Sequence, residues 1–271
     1  MHLGIHLVRP PSSNPPAVLQ ATAHAAEAIG YRSLWVGDPV LDGAGPAGAE
    51  RSLDALASLA FLAAITQRIR LGTNVLAGAW YPPELLARSL ATVDQLSRGR
   101  LTVGMSSAAS DGPGGAVDGL LGALEAAWGG ATPDERAPAA GLLGPRPVQV
   151  PRPPILLTGR SEAELDRAGR IGDGWHAAPE APEDLARRWH RVRRAAAEAG
   201  RDPDQLALVV RVRLDGGTGP ATIARQVAAL AGIGASEVIL EVDDDRSLDA
   251  ALARYAEVAE AVEAVEPQPI G

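Results

Sequence analysis

A chain of 271 residues with 46% hydrophobic and 21% charged residues has the composition of a folded globular protein, and none of its apolar runs reaches the roughly 18 residues that a membrane-spanning helix needs. The net charge of −8 argues against nucleic acid or an anionic membrane as a partner, because both are held by a net excess of clustered positive charge. There is no Cys, which removes disulfides, thiolate nucleophiles and thiolate metal sites; all 25 basic residues are Arg, which removes Schiff-base lysines and a Walker-type phosphate loop.

At the N-terminus, Met1 to Val8 leads straight into Pro10 and Pro11 without the basic and apolar regions of a secretion signal, so the expectation is a cytoplasmic protein. From there, short apolar runs rich in branched residues alternate with longer segments of helical period. The predicted strands are Leu3 to Val8, Ser33 to Val36, Ile69 to Asn74, Leu101 to Gly104, Ile155 to Thr158, Gly174 to Ala177, Leu206 to Val212 and Glu237 to Glu241. Between them, apolar positions step by threes and fours, as in Leu185, Trp189, Val192 and Ala196. Eight such units of about 34 residues predict a single closed (β/α)8 TIM barrel over residues 1–271 rather than a doubly wound open sheet.

One interval breaks the rhythm. About fifty residues, Met105 to Pro154, separate the fourth strand from the fifth; they hold an Ala/Gly-rich stretch, a short predicted helix from Val117 to Trp128, and a Pro-rich return. Following the C-terminal end of a strand, this insertion (about 105–153) is placed either to cover the catalytic face as a lid or to run as a surface loop.

Barrel active sites form at the C-terminal strand ends. The residues expected there are His6, Gly37 with Asp38, Asn74 with Val75, Met105 to Ser107, Gly159 to Ser161, Trp175 with His176, Arg211 with Arg213, and Glu241 with Asp243 to Asp245. Thr158-Gly159-Arg160-Ser161, followed by a predicted helix, suits a phosphate: glycine allows close backbone approach, the helix start offers free N–H groups, and Arg160 supplies charge. Ser161 and Glu164 also read as a capping box, which is compatible with that role. His6 and His176 are candidate acid–base groups, since imidazole titrates near neutrality. No metal site is expected, because His2 and His6 lie four apart on a strand with His2 at its entry end. His24 and His190 fall on outer helices. The literal G-x-G-x-x-G from Gly43 to Gly48 lacks a strand ending at its first glycine and carries Pro46 in its middle, so it is read as a loop.

Four blocks then resemble the bacterial luciferase-like superfamily of flavin- and F-420-dependent oxidoreductases. They are Ala25 to Asp38; Thr66 to Val75; Ala91-Thr92-Val93-Asp94-Gln95-Leu96-Ser97-Arg98-Gly99-Arg100 with Leu101 to Gly104; and Pro154 to Gly159 with Ala168 to Trp175. The resemblance implies a barrel that holds FMN or the deazaflavin coenzyme F-420 at its rim and works on a small organic substrate, with a homodimer a reasonable expectation. It implies a non-prolyl cis peptide at Asn74-Val75 beneath the ring, a phosphate-binding turn at Gly159, Arg160 and Ser161, and His6 and Asp38 beside the ring. The expected cofactor contacts are thus Asn74, Val75, Gly104, Ser106, Gly159, Arg160, Ser161 and Trp175, and the expected catalytic residues His6, Asp38 and His176. The chain departs from the family pattern at Asp38-Pro39, where many members place a histidine after the acid, and at Gly104-Met105-Ser106-Ser107, where the family usually continues Gly-x-Gly. Two other readings stay open: a degenerate barrel that has lost flavin catalysis and acts as a binding or partner protein, and a cofactor-independent hydrolase or isomerase using His6, His176 and Asp38.

Overall fold

Eight parallel strands pair in chain order, and the eighth returns to pair with the first, closing the predicted barrel. The computed structural model describes residues 1–7, 15–38, 53–106, 117–129, 144–242 and 247–265. The strands are β1 (His2–His6), β2 (Ser33–Val36), β3 (Arg70–Leu76), β4 (Leu101–Met105), β5 (Ile155–Leu157), β6 (Gly174–Ala177), β7 (Ala207–Leu214) and β8 (Glu237–Val242). Around them lie α1 (Pro15–Ile29), α2 (Ala55–Ile65), α3 (Pro83–Leu96), α4 (Val117–Ala127), α5 (Glu162–Ile171), α6 (Pro182–Glu198), α7 (Pro220–Gly232) and α8 (Leu248–Glu263). Among the described residues no helix is long and apolar enough to cross a membrane.

The predicted strands are recovered with boundary shifts of a residue or two. Both β3 and β7 run two residues past their expected ends; β3 reaches Leu76 through a cis peptide bond between Asn74 and Val75, as the resemblance implied, with a register shift against β4 between Thr73 and Leu76. Val8, the Gly43 to Gly48 stretch, Ser107 and Asp243 to Asp245 lie outside the described residues, as does most of the insertion apart from α4 and the Pro-rich return.

Local chemistry starts the helices where they begin. Pro83, Pro182 and Pro220 open α3, α6 and α7, where a missing N–H costs no hydrogen bond. Asp54, Ser161 and Ser247 cap α2, α5 and α8, each side chain accepting from the N–H of Ala57, Glu164 and Ala250 respectively.

The core has two parts. The larger fills the space between strands and helices; the smaller joins Trp35 of β2, Leu156 of β5, Val209 of β7 and Ile239 of β8. Residues on such separated strands can meet only inside the barrel. Trp35 occupies this interior because two neighbours have no side chain: a Cβ on Gly72 would stand 2.3 Å from the Trp35 ring, and one on Gly4 2.9 Å from its Nε1. The indole N–H donates to Ser33 Oγ at 2.6 Å and to Glu237 Oε1 at 2.8 Å, so the polar edge of this large ring is satisfied at the N-terminal end.

Three buried or half-buried charged side chains fasten loops to this frame. The guanidinium of Arg100 donates to the backbone carbonyls of Ala63, Thr66 and Ile69, closing the C-terminal end of α2. Glu27 accepts three successive N–H groups, from Gln67, Arg68 and Ile69. Asp94, fully buried, accepts from Val148 N at 2.7 Å, Gln149 N at 3.0 Å and Gln149 Nε2 at 2.7 Å, pinning the return of the insertion before β5.

Overpacking beside Trp35 is therefore expected to be costly: Gly72→Ala should lower unfolding free energy by about 1–3 kcal/mol. Gly122→Ala, at an exposed site of α4 where an added methyl meets none of the described residues within 4 Å, should raise it by about 0.5–1 kcal/mol. Urea denaturation of both variants tests the pair; equal effects would refute the account of the barrel interior.

Candidate functional site

At the C-terminal end of the barrel a cleft of about 350 Å³ is lined by Val75, Ser106, Thr158, Gly159, Arg160, Glu164, His176, Ala178 and Arg211. That volume lies within the range of small-molecule sites. The walls come from β3, β4, β6 and β7 and from the turn between β5 and α5, so barrel closure is what assembles them.

Polar atoms around this end are left unpaired by the protein. Among the described residues, the buried side-chain atoms without a hydrogen-bond partner are Asn74 Oδ1 and Nδ2, His176 Nε2, Arg211 Nε and Glu241 Oε2. All belong to residues near the C-terminal ends of barrel strands. Arg211 and Glu241 face each other with Nη1 and Oε2 3.9 Å apart, close enough for attraction but beyond hydrogen-bond reach. An unmade buried hydrogen bond costs about 1–3 kcal/mol, so a cluster of them at one place marks a surface built to meet something else.

His176 is the most constrained member. Its imidazole packs edge-on against Trp35, with ring centroids 5.5 Å apart, and lies over bare backbone at Gly104, where a Cβ would come within 3.0 Å of its Cδ2. Burial, then the nearby Arg211 guanidinium, push its pKa from 6.5 down to about 3; a hydrogen bond to its own backbone opposes this, and His6 adds to it. The ring is thus neutral at physiological pH. With the other ring nitrogen engaged by backbone, the buried Nε2 is left as a hydrogen-bond acceptor without a partner among the described residues. That differs from the proton-carrying role expected from sequence, because desolvation opposes the imidazolium.

His6 is buried at the end of β1, near enough to act on His176, and its carbonyl accepts the Tyr255 hydroxyl at 2.9 Å. Asp38 is buried as well. Its Oδ2 accepts the Ala77 N–H at 3.0 Å and the Tyr81 hydroxyl at 3.3 Å, tying the end of β2 to the turn that follows β3. Burial and the Asp38 charge raise the Tyr81 phenol well above its ordinary range, keeping it a donor.

The turn after β5 forms the far wall. Ser161 caps α5, and the expected capping box is complete: Glu164 N donates to Ser161 Oγ, while Glu164 Oε2 accepts from Ser161 N at 2.9 Å. The same oxygen accepts from Arg160 N at 3.0 Å and Ser161 Oγ at 2.7 Å. Burial pushes Glu164 upward, but these donors outweigh it and hold its carboxyl below the usual carboxylate range. Arg160 and Arg188 both pair with Glu180 on the outer side, at 3.1 and 3.0 Å.

Of the residues expected at the site, Val75, Ser106, Gly159, Arg160 and His176 line one cleft, with Gly104 beneath His176. Asn74 and His6 are buried behind it, Ser161 is exposed at the start of α5, and Asp38 serves the neighbouring turn. Trp175 does not face the mouth. Strand alternation sends His176 inward and Trp175 outward into the strand–helix core, where its indole N–H donates to Gly159 O at 3.1 Å and steadies the turn. Sequence reading placed Arg211 and Glu241 on the rim without selecting them, and it missed Glu164 as part of the cleft. The available signal was charge at alternate, inward-facing positions: Val209 then Arg211, Ile239 then Glu241. The expected absence of a metal site concerns only residue types and spacing; among the described residues no cluster of three His, Asp or Glu is placed to hold one.

Comparison with known proteins points the same way. The profile of the family described as luciferase-like monooxygenase matches residues 2–266. An uncharacterized protein of Mycobacterium tuberculosis is 30% identical over 291 aligned positions that cover 93% of this chain and 95% of the relative. An FMNH2-dependent dimethylsulfone monooxygenase of Pseudomonas putida is 28% identical over 160 positions, 51% of this chain and 43% of that enzyme. Among solved structures, the coenzyme F420-dependent tetrahydromethanopterin reductase of Methanopyrus kandleri superposes with a TM-score of 0.73 at 16% identity, covering 96% of this chain and 98% of that one, a likeness of fold.

The His176 environment makes a prediction about stability. Unfolded, the imidazole takes up a proton below about pH 6.5; folded, it resists until about pH 3. Its contribution is therefore full above 6.5 and is lost as pH falls toward 3, by up to about 1.4 kcal/mol per pH unit. His176→Phe, which fills similar space, should flatten the fall in urea midpoint between about pH 7 and about pH 5 relative to wild type. Parallel slopes for the two proteins would refute the assignment.

Proposed function

Because this chain belongs to the luciferase-like monooxygenase family, we propose that it is an oxidoreductase that holds coenzyme F-420 or FMN at the barrel mouth and acts there on a small organic substrate. The observation that carries this reading is the group of unpaired polar atoms of Asn74, His176, Arg211 and Glu241 at the end of the barrel where a small-molecule cleft opens. These atoms fit a ring edge that alternates donors and acceptors: His176 Nε2 accepts, Arg211 Nε donates, and the Asn74 amide does both.

When bound, the ring supplies the redox chemistry, hydride transfer with the deazaflavin or oxygen activation with FMN. The chain's part is placement and exclusion of water. Asn74, Val75, Gly104 and Ser106 are the residues proposed to lie against the ring, and Gly159, Arg160 and Ser161 those proposed to face its phosphate end. His176, kept neutral by burial, offers an acceptor rather than a proton. Arg211 and Glu241 bring opposite charges to the same rim, so a substrate is met by a donor and an acceptor side by side. Asp38 and Trp175 act through others, Asp38 through Ala77 and Tyr81 and Trp175 through Gly159. The second reading, a barrel that has lost flavin catalysis and serves as a binding protein, draws support from the turn after β5, whose N–H groups already hold Glu164.

Titration of the purified protein with FMN and, separately, with F-420 separates the two readings. The oxidoreductase reading expects saturable quenching of cofactor fluorescence at micromolar or tighter affinity for one of them. Its loss on substituting His176 by Phe or Arg211 by Met would assign the binding to this cleft. Failure of both cofactors to bind would make the binding-protein reading the leading one.

A further inference from the structure

The phosphate end of the cleft is already occupied by a side chain of the protein. Glu164 sits at the third position of α5 and folds back over the turn, so that one oxygen, Oε2, collects the N–H of Arg160, the N–H of Ser161 and the Ser161 hydroxyl. An incoming phosphate ester would seek these same groups. Glu164 also lines the cleft directly, together with Arg160, Thr158 and His176.

A capping box alone would account for the Ser161 contacts, and nothing further would follow from it. Two features go beyond a cap. The Glu164 oxygen also takes the N–H of Arg160, a residue before the cap and outside the reciprocal pair. Independently, the same cleft is lined by His176, only 1% exposed, whose Nε2 has no partner among the described residues.

We propose that Glu164 is an internal competitor for the phosphate seat, so that a phosphate ester binds only by displacing its carboxylate from the turn. Two anions cannot share those donors: a phosphate dianion placed on Arg160 N and Ser161 N would meet the carboxylate at contact distance. Ligands lacking a phosphate pay no such penalty, and Glu164 thereby sets specificity at this end of the site. The inference rests on the reading of the cleft as a cofactor site only in naming the phosphate ester; the competition itself concerns the turn.

The test uses the full chain and inorganic phosphate. In ¹⁵N-labelled protein, the backbone amides of Arg160, Ser161 and Glu162 report anion binding at the turn. Glu164→Ala and the charge-removing Glu164→Gln should each bind phosphate at least about tenfold more tightly than wild type, a gain of about 1.4 kcal/mol. Glu162→Ala serves as control. It removes an equal charge from the same first turn, from a side chain that pairs outward with Arg191 at 3.0 Å, and should change phosphate affinity by less than about twofold. A thermal melt of each variant checks folding, and Glu164→Gln keeps the test available if the alanine variant is too unstable.

Phosphate affinity of both Glu164 variants equal to or weaker than wild type, or a gain matched by Glu162→Ala, overturns the proposal. Titrating the same proteins with FMN and F-420 keeps the two ideas apart. Phosphate gained without binding of either cofactor would leave the competition standing and remove the flavin reading. Tight cofactor binding by wild type with no phosphate gain in the variants would do the reverse.

Discussion

A closed barrel of eight strands must have its interior filled, and here one indole does much of that work. Trp35 reaches across the axis because Gly4 and Gly72 present bare backbone to it, and its polar edge is satisfied by Ser33 and Glu237 at the N-terminal end. The opposite edge of this packing supports His176. The floor of the candidate site is therefore a packed hydrophobic ring, and the buried, neutral state of the imidazole follows from it. Gly104 extends the same logic one layer up: a Cβ there would stand 2.3 Å from the Thr73 carbonyl oxygen and press on His176 Cδ2 at 3.0 Å. Site geometry thus descends from the choice of small residues on β1, β3 and β4.

Charge around the mouth is arranged in balanced pairs. The arginines of the outer rim and of α6 meet carboxylates: Arg160 and Arg188 share Glu180, Arg191 meets Glu162 and Asp166, and Arg194 meets Glu198. The Arg-rich face of α6 thus carries its positive charge largely in pairs with neighbouring carboxylates. Inside the mouth the balance is less complete. Arg211 and Glu241 attract without closing a hydrogen bond, which leaves directional capacity on both.

The fold was legible in the sequence because the residues that announce it are those that build it. In the third block of the resemblance, Asp94 anchors the return of the insertion and Arg100 caps α2, so their side chains satisfy backbone groups that this fold leaves without partners of their own. The site was legible only in part. Residues at strand ends could be named, since barrel closure puts them at one rim, but which of two neighbours faces inward could not be read. Both faces of a barrel strand are buried, so Trp175 and His176 carry no alternation of polarity to distinguish them. Glu164 was legible as half of a capping box through its spacing from Ser161. Its second role depends on Arg160 N and on the cleft beside it, which are products of tertiary structure.

A barrel freed from ligand binding would be expected to lose its buried unpaired polar atoms, because each costs about 1–3 kcal/mol and apolar replacements of similar size remove that cost. Here Asn74, His176, Arg211 and Glu241 keep theirs together at the C-terminal end, while the interior below is packed with Trp35, Leu156, Val209 and Ile239. The chain places apolar side chains where the barrel needs only filling and keeps hydrogen-bonding capacity where a ligand would arrive. Such a division favours a site maintained for binding over one that has decayed. Asp38 itself is occupied in holding Ala77 and Tyr81, and the neutral His176 supplies an acceptor. If a flavin-type ring binds there as proposed, the bond changes would take place largely within the ring and its substrate, with the protein fixing their orientation.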